Sequence, residues 1–175
     1  KDMASKTQLA FARQVYAAAV EAKTEIDPAF VTAQAMLETG WGSRVIGKAN
    51  LFGITKGSQW DGDIVMVKTH EYFKTPKQKF KEPDRIVSVC KVAGKNLWYY
   101  TVMRAFKDFD SVGDCLKEHE RLFQKPGYKD AWPCRKDPFK FAQKICDGVG
   151  CKYATDPTYL TTITSIIKTI RRKCV

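Results

Sequence analysis

Apolar residues recur at helical spacing over residues 5–23, where Leu9, Ala12, Tyr16, Ala19 and Val20 share a face and Ser5 with Gln8 forms a capping box. A second helical stretch opens at Asp27-Pro28, an N-cap residue followed by proline at the first helical position, and turns Phe30, Ala33 and Leu37 inward. Gly40 is placed to stop it in the left-handed conformation. Between residues 50 and 106 the period changes to two, so 64–73, 85–92 and 97–106 are expected as strands of a small antiparallel sheet. Ala93-Gly94-Lys95-Asn96 suits a hairpin connection, whereas 74–84 is a longer basic loop containing Pro76 and Pro83. The helical period then returns over 111–124, with Ser111 and Asp114 as the capping pair and Val112, Cys115, Leu116, His119 and Phe123 inward. Asp137-Pro138 and Asp156-Pro157 announce two more helices, over 138–147 and about 157–172, the last buried through Leu160, Ile163, Ile166, Ile167 and Ile170.

This order of elements is an α+β layout, mainly helical with a small β-lobe at about 55–106. A single domain over residues 1–175 is expected, since no linker or internal repeat interrupts the pattern. Hydrophobic residues at 44% and charged residues at 28% are ordinary globular values, which excludes disordered and low-complexity classes. No apolar run approaches the roughly 20 residues of a membrane-spanning helix, so membrane insertion is not expected. The start Lys1-Asp2-Met3 reads as processed or trimmed, so export would use a removed segment or another domain.

Thirty Lys and Arg against nineteen Asp and Glu give a net charge of +11, which draws a protein toward polyanions such as nucleic acid, anionic lipid or an acidic wall polymer. The basic residues are spread along the chain, apart from a modest run over 74–81 and Arg171-Arg172-Lys173, so no nucleic-acid stripe stands out. Six cysteines without a Cys-x-x-Cys pair, and only His70 and His119 beside them, argue against a metal site. Disulfides are expected instead, concentrated after Lys129, and with them an oxidising compartment.

Glu38 is the residue whose position asks for an explanation. A helix C-terminus carries partial negative charge, and an acid there, set beside Trp41, has its protonated form favoured by the dipole and by desolvation. Both effects suit a general acid, although an ordinary solvated helix end carries such a residue too. Glycoside hydrolysis usually needs a second carboxyl, and the alternation of the first strand places Glu71 with Val65, Val67 and Thr69, opposite His70 and Tyr72, although by pattern alone it reads first as a solvated strand-end residue. Trp60, Trp98 and Tyr99 have faces that suit a pyranose, but each reads first as filling the junction between sheet and helices, and His119 reads as a core residue.

Four stretches in order carry a resemblance: Gln34-Ala35-Met36-Leu37-Glu38-Thr39-Gly40-Trp41-Gly42, Asn50-Leu51-Phe52-Gly53-Ile54, Thr69-His70-Glu71-Tyr72, and Tyr153-Ala154-Thr155-Asp156-Pro157 with Tyr159. Together they resemble the glucosaminidase family of peptidoglycan hydrolases, glycoside hydrolase family 73, which includes the flagellar rod wall hydrolase and many autolysins. The resemblance implies a lysozyme-like domain that cleaves the β-1,4 bond after N-acetylglucosamine in the peptidoglycan glycan. It implies Glu38 as general acid, Glu71 as second carboxylate and Tyr153 as a tyrosine lining the site near the sugar. Trp41, Asn50, Phe52 and Tyr159 match positions that shape the cleft for substrate. No cofactor or metal is implied. The segment over 73–100 is longer than the family's usual compact hairpin, and six cysteines are atypical of it.

The expected partner is therefore peptidoglycan glycan strands, with no nucleic acid, and the expected state a monomer. The expected location is secreted or periplasmic, and delivery to a target cell wall as an antibacterial enzyme fits the cysteine content. Cleavage of the other glycan bond by a muramidase or lytic transglycosylase, and action on chitin-type chains, stay open. A silent wall-binding module or a basic polyanion binder is the alternative outside enzymes.

Overall fold

The computed structural model describes residues 4–147, 153–154 and 156–175. Its chain separates into two compact units, one of Lys1–Phe52 with Phe109–Val175 and one of Gly53–Asp108. Among the described residues the first holds five α-helices, α1 Lys6–Glu21, α2 Pro28–Thr39, α3 Val112–Phe123, α4 Pro138–Asp147 and α5 Tyr159–Lys173. The second holds a sheet of β1 Ile64–Phe73, β2 Arg85–Lys91 and β3 Trp98–Lys107. The class is α+β, mainly helical, as the periodicities indicate.

Both halves of the Ser5–Gln8 capping box form at the start of α1. Its buried row is Ala12, Val15 and Ala19, while Val20 is 53% exposed, contrary to the expected face. Val20 lies one step, roughly 100° of rotation, beyond Ala19 and so leaves the row. At α2 the Asp27 carboxylate accepts from the Ala29 N–H at 2.8 Å and Pro28 takes the first turn. All of α2 except Pro28, Leu37 and Glu38 is buried, so the expected face of Phe30, Ala33 and Leu37 is too narrow. Such a helix, apolar on every side, is a central one, and α1, α4 and α5 pack against it. Phe30 meets Phe123 and Phe141 edge-on, at centroid separations of 6.2 and 4.8 Å.

Ser111 caps α3, and Cys115, Leu116, His119 and Phe123 are its buried residues. Asp137 accepts from the Phe139 and Lys140 N–H groups at the start of α4. α5 starts at Tyr159, two residues after Pro157, because Asp156 uses its carboxylate on the Thr158 N–H and hydroxyl, both at 2.8 Å. Arg171, Arg172 and Lys173 then complement the negative end of the α5 dipole.

In the β unit, β3 is central, in the order β1-β3-β2 with both pairings antiparallel. Gly94 at φ 71° turns the β2–β3 hairpin, closed by a Val92 N–H to Leu97 carbonyl bond of 2.9 Å. The long loop over 74–84 is pinned to β3. The Tyr100 hydroxyl donates to the Thr75 carbonyl at 2.7 Å and accepts from the Gln78 N–H at 3.2 Å. Asp84 accepts from the Ala105 N–H at 2.7 Å. Tyr100→Phe removes a buried hydroxyl with two partners and is expected to cost about 1–3 kcal/mol. Thermal melting and limited proteolysis check this, with faster cleavage inside 74–84 in the variant; an unchanged cleavage pattern means the loop is held by other contacts.

The expected disulfide framework is not present among the described residues. Cys90, Cys115, Cys134, Cys146 and Cys174 are free thiols, and Cys151 lies outside the described residues. Cys115 is fully buried on α3, accepts weakly from the Leu51 N–H at 3.5 Å, and burial pushes its thiol up to about 12. It packs as a small apolar residue, and Cys90 stands exposed on β2 in the other unit, so an even count does not imply pairing here. Among the described residues no helix is long and apolar enough to cross a membrane.

Candidate active site

The site is built on an abrupt helix end. The N–H groups of Gly40 and Trp41 both reach the Met36 carbonyl, at 2.8 Å for Trp41, and both residues are left-handed, at φ 56° and 58°. The Thr39 hydroxyl donates to the Ala35 carbonyl and accepts from the Gly42 N–H, at 2.7 and 2.9 Å. Gly42, at φ 93°, has no room for a Cβ, which would sit 2.6 Å from the Phe11 ring. The chain therefore leaves α2 sharply and Glu38 remains on its last turn. Trp41 holds a backbone conformation that a bulky residue rarely adopts, a local strain of the kind that gathers at functional sites.

One side of Glu38 is open to solvent, yet the atoms around its carboxyl desolvate it enough to raise its pKa above the usual carboxylate value. The Tyr153 hydroxyl, donating to Oε1 at 3.3 Å, and the Arg44 charge act in the opposite direction without cancelling the rise. The hydrogen-bond partner of the carboxyl is thus Tyr153. Burial, and then the Glu38 charge, push the Tyr153 phenol upward, so it remains a protonated donor. Its ring lies 5.6 Å from Phe123 and 5.5 Å from Tyr159.

Of the other expected residues of this unit, Tyr159 adjoins that pair through the Tyr153 ring. Tyr159 is buried and its hydroxyl accepts from the Gln34 amide at 2.8 Å. Asn50 is buried at 1% exposure, exchanges both backbone bonds with Ile46, and its Oδ1 accepts from the Phe52 N–H at 3.3 Å. Phe52 is half-buried and stacks on His119 at 3.8 Å and 18°. Trp41 is half-buried.

Glu71 belongs to the β unit, half-buried on the face of Val65, Val67 and Thr69, in register with Tyr100. Arg104 Nη1 binds its Oε1 at 2.6 Å, while Arg104 Nε reaches Asp84 at 3.3 Å. Burial works against the guanidinium charge, and the two carboxylates outweigh it, holding Arg104 further above its ordinary value. A cavity of about 780 Å³ in the same unit is lined by Glu71, Arg104, Asp84, Phe73 and Phe80, among others. Arg104 is a functional candidate absent from the sequence reading. The signal is present, since it is the one charge in the Tyr100, Val102, Arg104, Phe106 alternation.

Tyr99 stacks on His70 at 5.2 Å and lies 5.1 Å from Tyr72, on the sheet face opposite Glu71. The Trp60 indole donates to the Asp63 carbonyl at 2.8 Å and carries the Lys107 ammonium at 4.9 Å. Trp98 carries Lys91 at 5.8 Å. Among the described residues no group of three or more His, Cys, Asp and Glu side chains is arranged to hold a metal ion.

A family model described as mannosyl-glycoprotein endo-beta-N-acetylglucosaminidase matches residues 14–172. The chain is 30% identical over 141 residues to the peptidoglycan hydrolase FlgJ of Vibrio parahaemolyticus, covering 77% of this chain and 37% of that protein. It is 31% identical over 143 residues to a probable N-acetylmuramidase of Lactococcus lactis subsp. cremoris, covering 80% of this chain and 28% of that protein. The chain thus spans well under half the length of these relatives. The fold is similar to that of the truncated glycoside hydrolase domain of Salmonella typhimurium FlgJ, with a TM-score of 0.68, 22% identity and coverage of 94% and 98% of the two chains.

Proposed function

Because the chain belongs to the glucosaminidase family of glycoside hydrolases, we propose that it is an endo-N-acetylglucosaminidase of bacterial peptidoglycan, cleaving the β-1,4 bond between N-acetylglucosamine and N-acetylmuramic acid. The observation that supports this most is Glu38, a carboxyl with a raised pKa held by Tyr153 at an open helix end. Glu38 protonates the glycosidic oxygen as the bond breaks. Glu71, ion-paired to Arg104, supports the oxocarbenium-like state or the incoming water, and the substrate's own N-acetyl group is an alternative nucleophile. Tyr153 holds the acid in place, Trp41 and Phe52 border the sugar, and Asn50 and Tyr159 shape the site from behind. The 175 residues act as one catalytic domain, with no cofactor.

The relatives named as peptidoglycan hydrolases favour the wall as substrate, and so action outside the cytoplasm, in the periplasm or after secretion. The +11 charge lengthens residence on an anionic wall, an attraction that salt weakens. A monomer is sufficient for this chemistry, and delivery against a competing bacterium is one setting for it.

Mass spectrometry of digested peptidoglycan tests the bond assignment. New reducing ends on N-acetylglucosamine are expected. Reducing ends on N-acetylmuramic acid would instead establish the second reading, a muramidase, which the Lactococcus relative's name favours.

A further inference from the structure

His119 lies outside all four motif stretches, yet two of them meet on its ring and a third is reached through one of these. Its Nε2 hydrogen-bonds the Gln34 Oε1 of the first stretch, its face stacks on Phe52 of the second, and Gln34 hands the contact to Tyr159 of the fourth. The ring also meets Phe123 edge-on at 5.0 Å, and Phe123 lies 5.6 Å from Tyr153. Two routes therefore lead from this one side chain to the ring of Tyr153, whose hydroxyl binds Glu38, one through Gln34 and Tyr159 and one through Phe123.

The proton arrangement along the first route follows from burial. His119 is 1% exposed and burial lowers its pKa to about 3, so the ring is neutral and carries one N–H. Nε2 faces the Gln34 Oε1, so the tautomer that makes this hydrogen bond carries its hydrogen there. Gln34 must then present its oxygen to His119 and its amide hydrogens to Tyr159, which makes the Tyr159 hydroxyl an acceptor on that side. In this tautomer His119 holds the Gln34 amide in the orientation that offers its hydrogens to Tyr159.

The arrangement has a cost that packing alone would not accept. His119 Nδ1 is buried and has no hydrogen-bond partner among the described residues. An unmet acceptor in an apolar interior is destabilising, and a phenylalanine would fill the same space beside Phe52 and Phe123 without it. The one thing the imidazole supplies and a hydrocarbon ring does not is the donor to Gln34.

We propose that His119 is a positioning residue for the general acid, fixing the Gln34 amide and the Tyr159–Tyr153 wall that keeps the Glu38 carboxyl in place and partly dry. This rests on the assignment of Glu38 as the acid. The groups whose charge or hydrogen bonding acts on Glu38 are Tyr153 and Arg44, with Tyr159 coupled to it. Loosening the wall admits water, and since desolvation is the largest influence on Glu38, its pKa then falls.

The test compares His119→Phe, which keeps an aromatic ring and removes the donor, with His119→Gln, which restores an amide donor. On a soluble peptidoglycan oligosaccharide, His119→Phe is expected to lower kcat roughly tenfold, with KM little changed. Its alkaline limb should move to lower pH, and His119→Gln should recover most of both. Should His119→Phe not fold, Gln34→Met removes the amide itself and is expected to give the same loss. A folded His119→Phe with the parent's kcat and pH limb overturns the proposal, as does equal damage from both His119 variants, which would mark a packing role. If Glu38→Gln keeps full activity, the acid assignment has failed first; if Glu38→Gln is inactive and His119→Phe is not impaired, only this inference falls.

Discussion

Glu38→Gln is expected to clear a suspension of purified cell walls on the order of 10²–10⁴-fold more slowly than the parent, the range spanned by removal of a general acid. Glutamine keeps the size of the side chain, and its amide oxygen still accepts from Tyr153, so the variant should fold and bind the wall. Retained binding with lost turbidity clearance separates an enzyme from a silent wall-binding module. Clearance at the parent's rate would remove the catalytic assignment. The pH dependence follows from the raised pKa. The acid must be protonated, so the parent's activity falls as pH rises through a value above the ordinary carboxylate range.

The same shift has a sign for stability. A carboxyl whose pKa is raised on folding holds its proton more tightly in the native state, so its contribution is full at pH below the unfolded value and is lost as pH rises through the folded one. Above that pH the ionised Glu38 is a burden to the fold. Glutamine carries no such burden, and unfolding at alkaline pH should find Glu38→Gln no less stable than the parent.

Phe30→Ala is expected to cost about 3–5 kcal/mol, enough to remove much of the stability of a domain this size. Phe30 is fully buried in α2, between the edges of Phe123 and Phe141, and neither ring can fill the space it leaves without giving up its contact with the other. Phe123 is also a neighbour of Tyr153, so the void opens one step from the site. Urea unfolding measures the loss, and a cost below about 1 kcal/mol would mean that the helices close over the cavity.

Helix starts were legible because they rest on local chemistry. Asp27-Pro28, Asp137-Pro138 and Ser111 announce caps that form as expected, and Gly40 stops α2 where its left-handed conformation requires. Glu38 was legible for the same reason, since its oddity is one of position on a single helix. The Glu71–Arg104 pair was not, because it depends on β3 lying beside β1, a sheet order that period-two alternation does not contain. His119 looked like core from its face on α3, and it is core. What the face does not tell is that Gln34 and Phe52, far away in the chain, converge on it. The cysteine count carries no geometry, and none of the described thiols is paired.

The packing around α2 also limits how the molecule can diverge. Nine of its twelve residues are enclosed, Pro28 begins the helix, and Glu38 is the acid of the proposed chemistry. Leu37 is left as the position that neither enclosure, helix start nor reactivity holds in place. Exposed segments such as β2 and the α1 surface can drift with little penalty. Over long separation this helix and its abrupt end should therefore outlast their surroundings, so that twelve residues can announce an ancestry the remainder of the chain has largely overwritten.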